Sequence, residues 1–336
     1  MFAEAAEAAA AVEAQRRDQA EYEALAARLR GMAPRIAFTC ARGSSDHAAT
    51  YAKFMIETRL GVPVVSHSPS LVSIYGSELG FARDALFLVI SQSGRSPDLL
   101  LSAEAAKRSG ALVVALVNDQ SSPLAQRADV VVPLRAGVET SVAATKSYIA
   151  SLAALARLTA CWAGDDALLG TIDALPPVLN AAWETDWSAV LPDLMGARGA
   201  LVLGRGSTFG IAQEAALKFK ETCGLHAEAF SSAEVAHGPM ELVVEGFPVL
   251  VFAPADAGAA GLDDLLARFV ARGARIAVAG RRVEGCRVLE VSSGLHPALA
   301  PIAAVQSFYR LVNALSVARG RDPDRPAMLG KVTRTT

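Results

Sequence analysis

Short apolar runs rich in valine, leucine and isoleucine alternate with longer stretches of helical periodicity, and the whole alternation occurs twice along the chain. In the first pass, residues 35–40 (RIAFTC), 62–68 (VPVVSHS), 85–90 (ALFLVI), 111–117 (ALVVALV) and 128–134 (ADVVVPL) read as strands. The run at 85–90 has no polar position, the pattern of a strand covered on both faces. Between these runs the spacing predicts three helices: one from the turn ARGSSD to about Leu60, one over 98–110 with Gly110 as its C-cap, and one over 141–162. Strands alternating with helices require right-handed crossovers and therefore a parallel sheet.

The second pass follows a bridging stretch at 171–187 and places strands in 200–210 (ALVLGRGSTFG), 247–254 (FPVLVFAP), 274–280 (ARIAVAG) and 286–291 (CRVLEV). Arg42-Gly43-Ser44 falls on Arg205-Gly206-Ser207 at an offset of 163 residues, and Ala48, Ala49 and Ala52 fall on Ile211, Ala212 and Ala215. The recurrence of the whole strand spacing, rather than of one turn, marks an internal duplication. The expected organisation is one alanine-rich amphipathic helix over 1–30 that forms an arm, one α/β domain over 31–170, a second over 190–325, and a C-terminal tail over 326–336.

With 32 basic and 34 acidic residues among 336, the net charge of −2 supplies no field for nucleic acid or an anionic membrane. At 52% hydrophobic and 20% charged, the chain is that of a packed globular protein. The first thirty residues carry acids where a secretory leader carries bases, and the longest apolar stretch, 148–164, is interrupted by Arg157; the expectation is a cytoplasmic protein with no membrane partner. The four cysteines lie far apart with no CxxC, which argues for free thiols rather than a zinc ribbon or a disulfide framework.

Two clusters carry chemistry. In SQSGRSP the strand at 85–90 feeds Ser91, Gln92, Ser93, Gly94 and Ser96 directly into a helix start, where hydroxyls and unsatisfied backbone N–H groups converge on an anion. No GxxxxGK[ST] is present and the loop has no lysine, so a single phosphate monoester fits better than a nucleotide. The plainer alternative is a serine-rich helix cap. The turn with Ser44 and Ser45 also leaves a strand and opens a helix, so it reaches the same sheet edge. Its copy, GRGSTFG, has the spacing GxGxxxG and misses a dinucleotide fingerprint.

The second cluster, ALKFKETCGLHAEAFSSAEVAHGPMEL, places Lys218 and Glu221 on one helical face at i, i+3, followed by His226, Glu228, Glu234 and His237. Glu234 and His237 have ligand spacing, but a third ligand is missing and no metal is expected. A carboxylate and an imidazole near a phosphate site suit metal-free proton transfer on a sugar phosphate.

The motifs SQSGRS, ETSVAATKSY, EAALKFKET, HAEAFSSAEVAHGP and MLGKVT resemble the tandem sugar-isomerase (SIS) domains of glucosamine-6-phosphate synthase, over about residues 20–336. The resemblance implies two SIS domains, each a parallel sheet flanked by helices. It also implies roles. Phosphate would rest on Ser91, Gln92, Ser93 and Ser96, and the sugar near Ser44, Ser45 and Ala144. Glu221 would move a proton between C1 and C2, with Lys218 beside it. His237 would assist ring opening, and Lys331 would engage the open-chain ketose as an imine. The synthase has a nucleophilic cysteine after its initiator methionine, whereas residue 2 here is Phe. The expectation is therefore a stand-alone, isomerase-type glucosamine-6-phosphate deaminase without a cofactor, working as a homodimer in which His237 serves the neighbouring chain. Ala144 stands where the family has serine and Arg42 where it has cysteine, and the tail beyond Lys331 is less acidic than the synthase's. These departures keep a fructosamine-phosphate deglycase or another phosphosugar isomerase open. A non-catalytic sugar-phosphate sensor is the alternative from another class.

Overall fold

The computed structural model describes residues 1–292 and 294–331. Among the described residues, ten strands form two five-stranded sheets, and every pairing within them is parallel. The first sheet contains β1 (Ala37–Cys40), β2 (Val64–Ser66), β3 (Leu86–Ser91), β4 (Leu112–Val117) and β5 (Val130–Pro133), in the order β2-β1-β3-β4-β5. The second contains β6 (Gly199–Gly204), β7 (His226–Ser231), β8 (Pro248–Phe252), β9 (Arg275–Ala279) and β10 (Arg287–Leu289), in the order β7-β6-β8-β9-β10. Strand for strand these are the same topology, so the duplicated turn belongs to a duplicated sheet. The expected α/β class with parallel sheets flanked by helices is the one observed.

The helices are α1 (Phe2–Ala6), α2 (Ala8–Ala14), α3 (Gln19–Met32), α4 (Ser44–Leu60), α5 (Ser70–Ser73), α6 (Pro97–Arg108), α7 (Pro123–Arg127), α8 (Lys146–Ala163), α9 (Asp166–Asp173), α10 (Leu175–Glu184), α11 (Leu191–Met195), α12 (Phe209–Cys223), α13 (Leu262–Ala271) and α14 (Ala300–Ala318). The chain forms two compact units. One holds residues 8–139, 146–174 and 330–331; the other holds 1–7, 140–145 and 175–329.

In the unit of the first sheet, β3 and β4 are buried along their full length, as their all-apolar runs require. Phe38, Phe87, Val89, Leu99, Val113 and Leu124 pack into one core on a face of this sheet. Helix α6 ends in a Schellman motif: Ala111 N–H bonds the Ala106 carbonyl, Gly110 N–H bonds that of Lys107, and Gly110 has φ +88°. Helix α8 is the apolar stretch flagged by the sequence, and it is buried on almost all sides. Its interrupting Arg157 donates inside from Nη1 to Gln19 Oε1 at 2.7 Å and from Nη2 to Asp173 Oδ1 at 2.6 Å, while its buried Nε finds no partner among the described residues. No helix among the described residues is long and apolar enough to cross a membrane.

Three local expectations are corrected. Residues 1–30 do not form a single helix; they break into α1, α2, a 3₁₀ turn at Gln15–Asp18 and α3. Tertiary bonds override local propensity there: Gln15 Nε2 donates to the Leu134 and Ala150 carbonyls, and Asp18 takes both arms of Arg135 at 2.8 and 2.6 Å. Helix α8 begins at Lys146 rather than near 141, because 140–145 runs as irregular chain within the other unit. The Ser141 and Thr140 N–H groups are bound there by Glu4. Strand β7 was not foreseen. It pairs only with β6, at the sheet edge, and HAEAFS carries the polar residues of an exposed edge instead of a continuous apolar run.

Candidate functional site

In the first sheet the chain runs from β1 outward to β2 and returns to β3 on the other side of β1, so the strand order reverses between β1 and β3. A crevice beyond the carboxyl ends of these two strands follows from that reversal. Both serine-bearing turns lie at this edge. β1 ends at Cys40 and is followed by Gly43, with φ +56°, and then Ser44 and Ser45 as the first residues of α4. β3 ends on Ser91, and residues 92–96 lead into α6.

The loop after β3 is pinned in place. Asn118 N–H donates to the Gln92 carbonyl at 3.2 Å, and Leu124 N–H to that of Gly94 at 3.1 Å. Ser91 Oγ accepts Gly94 N–H at 3.1 Å. Gly94 has φ +62°, and a Cβ there would stand 2.3 Å from Ser122 Oγ, so only glycine fits. Ser96 occupies the cap position of α6, followed by Pro97, yet its side chain makes no capping bond. The hydroxyl is therefore not spent on the helix, which separates this loop from a simple serine cap. Among the described residues, the side chains of Ser45, Gln92 and Ser96 pair with no other protein group.

The same unit brings Lys331 to Glu139, with Nζ 3.3 Å from Oε2. Glu139 is buried and also accepts Ser147 Oγ at 2.6 Å and Ser147 N–H at 3.3 Å, at the start of α8. Residues 332–336 of the tail lie outside the described residues.

The second sheet repeats the frame but not the loop. Matching the registers of β1 with β3 and of β6 with β8 sets Ser91 against Ala253, and the residues there read APADAGAAG in place of SQSGRSP. Only the first copy carries serines in this loop.

What the second unit carries is a charge cluster on α12. Lys218 is fully buried, and its Nζ lies 2.5 Å from Glu221 Oε2 and 3.2 Å from Glu214 Oε1. Tyr309 on α14 donates its hydroxyl to Glu214 Oε1 at 3.0 Å. Burial works against the Lys218 charge, but the two carboxylates and their hydrogen bonds outweigh it, so its pKa lies above the ordinary lysine value. Glu214 is wholly buried while Glu221 is 21% exposed, so of the two carboxylates only the outer one reaches the surface. The i, i+3 spacing gave the Lys218–Glu221 pair, but Glu214 and Tyr309 were missed. A scan for i, i+4 partners on α12 finds Glu214; nothing in the sequence links it to Tyr309, 95 residues away.

His237 closes a 3₁₀ turn at Glu234–His237, and Gly238 follows with φ +142°. His237 is exposed and pairs with no group among the described residues. No group of three metal-ligating side chains occurs among the described residues, Glu234 and His237 included. Ala144 is half-buried in the irregular segment before α8. A cavity of about 380 Å³ opens at the carboxyl ends of β8, β9 and β10, lined by Phe252, Gly280, Val288 and Val291; Lys218, Glu221 and His237 take no part in it.

The model of the SIS domain matches residues 33–160 and 193–279, one match on each sheet. The chain belongs to the SIS domain family. The glutamine–fructose-6-phosphate aminotransferase (isomerizing) of Brucella abortus is 31% identical over 306 residues, covering 86% of this chain and 50% of that protein. The chain spans about half the length of the curated relatives it matches. Among solved structures, a candidate phosphosugar isomerase from Silicibacter pomeroyi superposes with a TM-score of 0.91 at 44% identity, covering 96% of this chain and 99% of that one. The C-terminal domain of glucosamine-fructose-6-phosphate aminotransferase from Francisella tularensis follows at 0.84 and 25%, covering 96% and 97%. The family match includes Ser91–Ser96, Lys218, Glu221 and His237, whereas Lys331 lies beyond it.

Proposed function

We propose that this SIS protein is a phosphosugar isomerase that deaminates glucosamine 6-phosphate to fructose 6-phosphate and ammonia. One observation carries the reading most: a buried lysine holds one oxygen of Glu221 at 2.5 Å, while the other oxygen has no partner among the described residues. A carboxylate fixed in this way is a positioned base. The hydroxyl loop 91–96 supports phosphate binding, and the relatives named as acting on fructose 6-phosphate or phosphosugars support the substrate class.

In this mechanism Ser91, Gln92, Ser93 and Ser96 hold the phosphate, and Ser44 and Ser45 hold the sugar beside Ala144. His237 opens the pyranose. Glu221 removes the proton from C2 of the open-chain aldose, giving an enolamine, and returns it to C1. C1 is thereby reduced to the alcohol and C2 becomes an imine. Water adds to C2 and expels ammonia, so one water is consumed for each ammonia released. Lys331 attends the open-chain ketose. His237 acts on the site of a neighbouring chain in a homodimer; its exposure and lack of partners support this role.

The test is a panel of glucosamine 6-phosphate, fructosamine 6-phosphate and their unphosphorylated forms, scored for free ammonia and ketose. The reading requires ammonia and fructose 6-phosphate from the first compound. Turnover of fructosamine 6-phosphate alone would replace the deaminase with a deglycase, and ammonia from unphosphorylated glucosamine at an equal rate would remove the phosphate loop from the account.

A further inference from the structure

We propose that Arg42 reads the substrate phosphate: its guanidinium, anchored on Asp98 at the first turn of α6, supplies positive charge to the lysine-free loop 91–96, whose own Arg95 is engaged by Asp119. The proposal rests on phosphate binding at that loop. Arg42 follows the carboxyl end of β1; its Nε donates to Asp98 Oδ2 at 2.9 Å, and its Nη2 lies 2.8 Å from the same oxygen. Asp98 is the second residue of α6 and is fully buried, while the Arg42 side chain is 47% exposed. Both arms of the ion pair thus use one edge of the guanidinium, and Nη1 meets no protein group among the described residues. A guanidinium clamped along one edge keeps N–H donors in a fixed plane for a phosphate oxygen, at little cost in side-chain entropy.

Two comparisons within the chain favour this residue. Arg95, inside the loop, is turned to Asp119 at 2.8 Å and is half exposed. Arg205, the counterpart of Arg42 in the duplicated turn, meets no carboxylate among the described residues; its Nη1 donates to the Ala260 carbonyl at 3.3 Å. The loop beside Arg205 has also lost the serines. The aspartate anchor and the hydroxyl loop occur together in one copy and are absent together from the other. A brace left over from the duplication would have no reason to follow the hydroxyls.

Removing the guanidinium alone leaves Asp98 buried without its cation, so the test pairs a charge-balanced variant with a milder one. Full-length wild type, Arg42→Gln/Asp98→Asn, Arg42→Lys and Ser93→Ala are compared for thermal midpoint, KM and kcat on glucosamine 6-phosphate, and competition by inorganic phosphate. The proposal predicts that the double variant folds yet raises KM and the phosphate inhibition constant by roughly 10-fold or more, with kcat within about threefold, as for a lost charge-assisted contact made equally in ground and transition states. Arg42→Lys keeps the charge, loses the fork, and raises KM by a few fold at an unchanged midpoint. If the double variant fails to fold, Arg42→Lys alone decides: a KM equal to wild type overturns the proposal. A folded double variant with normal KM and phosphate competition makes Arg42 a structural brace and likewise overturns it. Phosphate competition that is lost in Ser93→Ala but indifferent to both Arg42 variants leaves the loop standing and removes Arg42. Absence of phosphate competition in wild type removes the loop itself, and the proposal with it.

Discussion

Replacing Lys218 with methionine keeps most of the unbranched side chain and deletes its charge from a site of zero exposure. Glu214, equally buried, loses the ammonium 3.2 Å away and keeps Tyr309 as a donor. Removing one member of a buried ion pair costs about 3–5 kcal/mol, because the remaining charge is left desolvated. In a domain of this size that lowers the melting temperature by roughly 10 °C. The contribution has a definite pH dependence: in wild type the Lys218 pKa is raised, so its share of the stability is complete below about pH 10.4 and is lost only as the pH rises beyond that. Adding Glu214→Gln should remove the buried carboxylate that has lost its ammonium and return most of the stability. Urea unfolding of the four corners of this cycle measures each quantity. A single variant within about 1 kcal/mol of wild type would refute the reasoning.

Other outcomes follow from particular positions. Gly94→Ala forces a Cβ to 2.3 Å from Ser122 Oγ at φ +62°, whereas Gly43→Ala, at φ +56°, meets nothing within 4 Å. In steady-state assays Gly94→Ala should therefore raise KM for the sugar phosphate by roughly 10-fold, and Gly43→Ala by clearly less. Burial pushes the Cys40 thiol up to about 12, so a thiol reagent at pH 8 should label half-buried Cys161 and Cys286 first and reach Cys40 only on unfolding. If His237 serves a partner chain, exchanging protomers of Glu221→Gln with His237→Asn gives mixed dimers with one intact site, and activity recovers to roughly a quarter of wild type. Exchange seen by native mass spectrometry without recovered activity would place His237 in its own chain's chemistry.

The strands were legible because parallel, doubly covered β-structure writes itself as uninterrupted apolar runs, and the shared order of the two sheets was legible because the spacing repeats. β7 was hidden for the opposite reason: an edge strand needs no such run. The split of the first thirty residues depends on Arg135, Leu134 and Ala150, all more than a hundred residues away, and local propensity could not show it. The same distinction governs the candidate residues. Lys218 and Glu221 share a helical turn and were visible from spacing alone. The Glu214–Tyr309, Arg42–Asp98 and Lys331–Glu139 pairs are closed by the fold across 95, 56 and 192 residues, and no local spacing links one partner to the other.

The central claim is that Glu221 carries the proton between C2 and C1 of an amino-sugar phosphate. Glucosamine 6-phosphate deuterated at C2 tests it directly, with product analysed by NMR for wild type and Glu221→Gln. The account predicts that wild type breaks the C2–deuterium bond with a primary isotope effect and delivers the label to C1 of fructose 6-phosphate or to water. The variant, still binding substrate, should do so at least about 10²-fold more slowly. Ammonia and fructose 6-phosphate appearing at the wild-type rate from Glu221→Gln would contradict it.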